Sequence, residues 1–183
     1  MSEQSPLSLG TEDIKKLLMR YAVPAIVAMT AASLYNMMDS IFIGHGVGAL
    51  GIAGLAVTFP FINLAAAFGS LVGVGASTLV PVKMGQKDLK SAEAVLGNVL
   101  LLNTVIGFLF MTVCLIFLDP ILYFFGASAD TLPYARDYMK VILYGNLITH
   151  IYMGLNEVMR ASGYPQRAMM ATLFAVLING VLN

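Results

Sequence analysis

The chain alternates between long apolar runs and short polar segments. An apolar run of ~20 residues is long enough to cross a bilayer as an α-helix, because each residue adds about 1.5 Å. The polar segments between the runs are rich in glycine, proline and charged residues, which are typical of connections. The pattern predicts an all-α integral membrane protein with about five transmembrane helices. The predicted spans lie at about 17–43, 50–82, 92–118, 134–160 and 167–183.

The two ends of the chain differ from these spans. Residues 1–13 are polar and predict a tail outside the membrane. The apolar run from Ala168 to Asn183 is shorter than the ~20 residues that a span needs, and no polar anchor follows it. We therefore expect the fifth span to be truncated.

Composition supports the membrane class. The chain has 183 residues, of which 58% are hydrophobic and 11% are charged, whereas an average soluble domain has about 25% charged residues. Its formal net charge is zero, so we expect no nucleic-acid partner. Cys114 is the single cysteine, which excludes an internal disulfide. The polar start of the chain does not resemble a cleavable signal peptide, so we expect insertion through the first span.

The basic residues predict the orientation in the membrane. Cytoplasmic connections carry an excess of Lys and Arg. If the amino terminus is cytoplasmic, the outer connections hold only Arg136 and Lys140 of the ten basic residues. We therefore expect the tail at 1–13 to be cytoplasmic and Asp39 to lie toward the outer half of the membrane. The inner segments hold the other basic residues, which are Lys15, Lys16, Arg20, Lys83, Lys87, Lys90, Arg160 and Arg167.

Asp39 is the most informative residue of the first span, since it is the only charged residue between Arg20 and His45. A carboxylate at membrane depth costs roughly 2.5–3.5 kcal/mol on insertion scales and usually marks a functional site. Helical spacing places Tyr35, Asn36 and Asp39 on one face. Asp39 is either a structural carboxylate bonded to a neighbouring helix or a residue that couples transport to a proton or ion. The absence of metal and nucleophile signatures favours coupling.

The remaining polar residues predict no enzyme and no metal site. Asn179 and Asn183 lie one turn apart on the fifth span, where interhelical hydrogen bonding and cavity lining are both open. His45 and His150 have no partner ligands at metal-binding spacing. We find no nucleophile with a base and an orienting group, so catalysis is not expected. A stripe of small residues in the second span predicts close helix packing, and it contains Gly69, Gly73, Gly75, Ala76 and Ser77.

Several motifs, taken in order and together, resemble the multidrug and toxic compound extrusion (MATE) transporters. The resemblance covers almost all of the chain from residue 9 onward. It implies a twelve-helix, two-lobe antiporter in the cell membrane that exports cationic or amphiphilic compounds and is driven by H⁺ or Na⁺. This chain would then be five helices of the amino-terminal six-helix lobe, with a missing carboxy-terminal lobe as its partner. The motifs are residues 34–44, 54–60, 73–79, 84–87, 157–165 and 178–183.

The resemblance also implies roles for individual residues. Asp39 matches the cation-coupling aspartate of the family's first helix, and Asn183 matches the fifth-helix asparagine of the same site. Tyr138 is similar in position to a fourth-helix tyrosine at that site. Tyr35, Asn36 and Asn179 are expected to line the cavity beside these residues. The coupling ion would be H⁺ or Na⁺, and no other cofactor is expected.

Two other functions stay open at this point. A flippase of the same wider superfamily would move lipid-linked or polysaccharide intermediates, and basic residues would line its cavity to hold anionic cargo. Here the basic residues lie in connections, which favours the exporter. The early end of the fifth span also allows a truncated product that does not transport.

Overall fold

The structure is a computed structural model that describes residues 12–182, with side chains described up to residue 178. The described part of the chain consists of six α-helices, and it contains no β-strand. This confirms the predicted all-α membrane fold. The helices are α1 (Ile14–Gly46), α2 (Ala49–Gly85), α3 (Leu89–Ile116), α4 (Leu118–Phe124), α5 (Leu132–Ala161) and α6 (Pro165–Leu182).

Short polar residues and glycines define where the helices begin. The Asp13 carboxylate accepts a hydrogen bond from the backbone N–H of Lys15 at 2.8 Å and caps α1. Asp88 caps α3 in the same way, accepting from the N–H of Ser91 at 3.2 Å. Gly48 precedes α2 with a φ of 85°, a backbone conformation that favours glycine. α1 and α3 therefore begin at side-chain caps, whereas the turn before α2 depends on the backbone freedom of glycine.

Three helices have the length and apolar composition to cross a membrane. These are α1, α2 and α3, and α1 and α2 continue as single helices through Pro24 and Pro60. Large apolar side chains are exposed on the outside of the bundle; Ile148, for example, is 74% exposed. Such a surface is expected where lipid or another membrane domain covers the protein.

One helix differs from the prediction. No helix was predicted between the third and fourth spans, but the structure has α4 there. Leu118 and Leu122 of this helix are buried in a core cluster that includes Met139 and Leu143 of α5. Burial of these two leucines explains why a seven-residue segment that contains Pro120 is helical. Most of the predicted tail lies outside the described residues.

The bundle is organised around α2 and α5. α2 packs most extensively on α5, and α3 packs against both, while α1 contacts α6 much more than it contacts α2. At the crossing of α2 and α5, a methyl group added at Gly73 would lie 2.7 Å from Cα of Gly154. Gly69, Gly73 and Ala76 are buried in this contact as the small-residue stripe predicts. Gly75 is not part of it, because nothing lies within 4 Å of the corresponding position.

Candidate functional site: a polar cavity between three helices

A cavity of about 450 Å³ lies between α1, α2 and α5. Its α1 wall contains Tyr35, Asn36 and Asp39, and Tyr138 of α5 faces the same space. The loose packing of α1 against α2 leaves this space open, because α1 is supported mainly by α6. The polar face predicted for the first span therefore borders a cavity.

Asp39 and Tyr138 approach each other across this cavity. The Tyr138 hydroxyl donates a hydrogen bond to Oδ2 of Asp39 at 3.5 Å, which joins residues 99 positions apart in the chain. Both side chains are partly buried. The bond is long, so it orients the carboxylate only weakly. The structure thus brings together four of the predicted site residues, and their role in coupling stays a prediction.

The two asparagines predicted on the fifth span cannot be placed in the same way. The side chain of Asn179 and the whole of Asn183 lie outside the described residues. The helix that carries Asn179 is held by polar contacts with α5. The Tyr152 hydroxyl lies 2.7 Å from Oγ1 of Thr172, and Asn156 donates to the Ala168 carbonyl at 3.1 Å. These contacts fix the position of the first half of α6 against α5.

The cavity has two further polar side chains that sequence analysis did not select. Asn146 and His150 of α5 are buried and line its wall. They are one turn apart on α5, and they border the same cavity as Tyr138. His150 follows Tyr138 by twelve residues, which is about 18 Å along the helix axis. The signal in the sequence was a pair of polar residues, Asn146 and His150, one turn apart within a span. They were not selected because polar residues at membrane depth usually make interhelical contacts.

His150 is enclosed by α2 and α3. Its Nε2 lies 3.0 Å from the carbonyl oxygen of Ala65, and its ring centroid lies 5.9 Å from that of Phe110. The ring fits because Gly69 and Gly107 have no side chains. A methyl group at Gly69 would lie 2.6 Å from Cδ2, and one at Gly107 would lie 2.9 Å from Nδ1. The glycines of α2 and α3 therefore create the space for a buried imidazole.

The electrostatic character of the cavity is acidic. Asp39 is the one carboxylate among the described residues that line it, and these residues include no Lys or Arg. Nearby basic residues are engaged elsewhere: Arg136 pairs with Asp119, and Lys140 lies 3.9 Å from Asp137. A carboxylate among hydroxyl and amide groups can accept a proton or hold a monovalent cation. Within the described part of the chain, no group of three or more potential metal ligands is present.

The comparisons with known proteins agree with this architecture. The MatE family model matches residues 24–183. The multidrug export protein MepA of Staphylococcus haemolyticus (strain JCSC1435) is 27% identical over the whole chain, which covers 40% of that relative. MepA of Staphylococcus aureus (strain MRSA252) is 26% identical over 92% of this chain and 37% of its own length. The chain thus spans about 40% of the length of the curated relatives it matches.

Solved structures show the same fold. A crystal structure of MATE in the straight conformation matches with a TM-score of 0.85 and 28% identity, over 93% of this chain and 38% of that chain. A MOP superfamily transporter from Pyrococcus furiosus, described as having a binding pocket of reverse polarity that suggests a different function, matches with a TM-score of 0.88 and 27% identity. That match covers 98% of this chain and 40% of the other. The chain has the fold of the amino-terminal lobe of these transporters, and it belongs to the MatE family of membrane transporters.

Proposed function

We propose that this chain forms the cation-coupling lobe of a multidrug antiporter that exports cationic or amphiphilic compounds in exchange for H⁺ or Na⁺. The observation that carries the proposal is the acidic cavity, in which Asp39 is the one carboxylate among the described lining residues. The relatives from two Staphylococcus species are named multidrug export proteins. Transport, rather than catalysis, is therefore the activity that we propose for the protein.

The exchange rests on competition for one carboxylate. Ionised Asp39 attracts an organic cation, and it releases that cation when it accepts a proton or binds Na⁺. The Tyr138 hydroxyl keeps the carboxylate directed into the cavity through the 3.5 Å contact. Apolar side chains such as Phe59 and Met153 line the rest of the cavity and suit amphiphilic cargo of varied shape. The same site thus serves coupling ion and cargo in turn.

A flippase for lipid-linked or polysaccharide intermediates is the second candidate. The fold does not separate the two, since the Pyrococcus furiosus transporter with the reversed pocket has a similar backbone. The polarity of the cavity does separate them. Anionic cargo needs basic side chains, and the described lining residues provide a carboxylate instead. This observation favours the exporter.

We further propose that the protein lies in the cell membrane with a cytoplasmic amino terminus. The distribution of basic residues supports this orientation, because all but Arg136 and Lys140 fall in the segments assigned to the inner side. In this orientation, Asp39 and Tyr138 lie toward the outer half of the membrane. In this proposal, an exported cation that is bound at Asp39 is released toward the outer side of the membrane.

Replacing Asp39 tests the proposal directly. In the native gene product that contains this chain, Asp39→Asn keeps the shape of the side chain but removes its charge and its ability to exchange a proton. We expect loss of drug resistance in a sensitive host and loss of efflux of a fluorescent organic cation. Asp137→Asn is the matched control, because Asp137 is 81% exposed on the same helix as Tyr138. It should leave efflux unchanged.

Two outcomes separate the alternatives. Normal efflux by Asp39→Asn protein that is inserted at wild-type level would rule out Asp39 as the coupling residue. The same assay on the 183-residue chain by itself tests whether this part transports or is a non-transporting product. A failure of the chain alone, combined with activity of the native gene product, shows that further lobe structure is required.

A further inference from the structure

The contact between α3 and α5 contains buried polar atoms without partners. Asn103 is fully buried, and neither its Oδ1 nor its Nδ2 has a hydrogen-bond partner in the described structure. His150 is also fully buried, and its Nδ1 has no hydrogen-bond partner in the described structure. Buried polar groups are nearly always paired with protein or with water, so each of these atoms needs an explanation.

Two glycines place these side chains in one compartment. Gly107 lies opposite His150, with the position of an added methyl group 2.9 Å from Nδ1. Gly154 lies opposite Asn103, with the corresponding position 2.0 Å from Nδ2. Asn103 and Gly107 are one turn apart on α3, as are His150 and Gly154 on α5. The amide and the imidazole therefore lie about one helical turn apart along the same helix contact.

The contact with α2 determines which nitrogen of His150 carries the proton. The Ala65 carbonyl can only accept, so the neutral ring must donate from Nε2 at 3.0 Å. Nδ1 is then a bare acceptor that faces α3. Protonation would add a hydrogen at Nδ1 and leave the Nε2 bond intact. A single side chain that can donate or accept would satisfy Nδ1 in both states.

Asn103 has this property. Its NH₂ group can donate toward the bare Nδ1, and its carbonyl oxygen can accept from Nδ1–H after rotation of the amide. Both groups are without partners in the described structure, so neither state breaks an existing bond. A buried water with polar partners on both sides is the usual way to satisfy such a separated pair. The amide thus allows the imidazole to change charge inside the protein.

We propose that Asn103 and His150 form a second protonation site of the lobe, with a buried water linking the amide to Nδ1. A proton from hydronium in the cavity forms the Nδ1–H bond, and a neutral water molecule remains. Asn146, whose Nδ2 is buried without a partner, lies one turn from His150 on the cavity wall and provides a polar step for water. The site is separate from the carboxylate at Asp39.

The surroundings of His150 limit what can influence its charge. The residues of α2 and α3 that contact the ring are Ala65, Gly69, Gly107 and Phe110, and none of them titrates. Tyr35, Asp39 and Tyr138 are the other titratable groups among the described residues of the shared cavity. Asp39 contacts Tyr138, about 18 Å along α5 from His150, so its charge influences the imidazole only weakly.

Nuclear magnetic resonance of histidine nitrogens tests this site without a transport assay. The native gene product would be labelled with ¹⁵N-histidine, studied in detergent micelles, and assigned by loss of signals in His150→Gln and His45→Gln. His45 is the internal reference, since its Nδ1 lies 3.0 Å from the Ile41 carbonyl and its neutral form is the opposite tautomer. We expect neutral His150 to show the Nε2–H tautomer and to gain a proton at Nδ1 when the sample is acidified.

Two substitutions with opposite effects test the role of Asn103. Asn103→Leu removes the acceptor for Nδ1–H, so a smaller fraction of His150 should be protonated at each pH. Asn103→Asp adds a carboxylate beside the ring and should increase that fraction. Asn98→Leu, an exposed asparagine on the same helix, is the matched control and should change nothing. Unchanged His45 signals show that the variants are folded.

Each result decides the proposal. A His150 ring that stays neutral throughout the titration of the folded protein overturns it. A ring that titrates but does not respond to either Asn103 variant overturns the pairing with Asn103. Opposite shifts in the two variants, with none in Asn98→Leu, support the site. Either Asn103 variant alone is decisive if the other does not fold.

Discussion

At the scale of single residues, Asp39 and Tyr138 form the most informative contact of the cavity. The hydroxyl and the carboxylate lie 3.5 Å apart, close to the limit of a hydrogen bond. A contact of this length orients the carboxylate only weakly. In the function proposed above, Asp39 exchanges a proton or an ion for a cationic substrate, and Tyr138 is a positioning residue.

Replacing Tyr138 should impair export less than replacing Asp39. Tyr138→Phe removes one hydrogen bond worth about 0.5–1.5 kcal/mol, which corresponds to a change of roughly two- to tenfold in efflux rate. Efflux of a fluorescent cation measures the effect. Tyr144→Phe is the control, because Tyr144 is 67% exposed on the same helix and should keep its full rate. Complete loss of export in Tyr138→Phe would give the hydroxyl a direct role in binding instead.

The sequence predicts this site only in part, for physical reasons. The cost of a charge at membrane depth identifies Asp39, but no local pattern connects it to a tyrosine 99 residues later. Only the resemblance to the MATE family predicts that Asp39 and Tyr138 belong to one site. Asn146 and His150 were not selected, because a polar residue within a span faces either a neighbour or a cavity. Only the packing of α2, α3 and α5 decides which.

At the scale of helices, the crossing of α2 and α5 depends on two glycines in contact. A methyl group at position 73 would lie 2.7 Å from Cα of Gly154. Because this is a backbone atom, the clash is relieved only if one helix shifts relative to the other. Packing in a membrane relies on such close approach, because lipid is as apolar as the helices. The crossing also supports one wall of the cavity. Its geometry therefore influences both stability and the site.

Gly73→Ala should destabilise the protein, whereas Gly75→Ala should not. Overpacking costs about 1–3 kcal/mol, which should lower the thermal midpoint in detergent by roughly 2–12 °C. Gly75 has open space around it and is a matched control on the same helix. Alanine there should leave the midpoint unchanged or raise it slightly, since alanine favours the helix. Equal midpoints for the two variants would show that the helices do not cross as described.

The turn between α2 and α3 should make stability sensitive to acid. Hydrogen bonds from the Ser91 side chain and backbone N–H, with help from Lys83, hold the pKa of Asp88 below its ordinary value. A lowered folded pKa gives stabilisation that is present above the unfolded pKa and is lost as pH falls through the folded pKa. Thermal midpoints measured from about pH 6 down to about pH 3 should therefore fall more steeply for wild type than for Asp88→Ala. Parallel pH dependences of the thermal midpoint in the two proteins would show that the Asp88 cap does not cause the acid sensitivity.

The helices themselves were largely predictable, with one exception. Apolar runs and capping residues such as Asp88 identify long helices because a membrane leaves the backbone few alternatives. The short helix α4 has no such signal. Its seven residues include Pro120, and it is helical because Leu118 and Leu122 are buried by α5 and its neighbours. That burial depends on tertiary contacts, which a local pattern does not contain.

At the scale of the whole molecule, the helices of the lobe pack unevenly. α2, α3 and α5 pack together extensively, while α1 rests mainly on α6 and touches α2 lightly. The cavity lies along this weaker boundary, with Asp39 on the α1 side and His150 on the α5 side. The two proposed protonation sites thus belong to different parts of the lobe.

The orientation of the lobe decides which side of the membrane this boundary serves, and labelling of single cysteines tests it. In a Cys114→Ala background, Gln86→Cys places a thiol in the connection that we assign to the inside, and Ala129→Cys places one in the outer connection. Both positions are exposed. A membrane-impermeant maleimide should label position 129 on intact cells and position 86 only after permeabilisation. The reverse pattern would place the amino terminus outside and Asp39 toward the cytoplasm, because the connections on either side of α3 fix the direction of every helix.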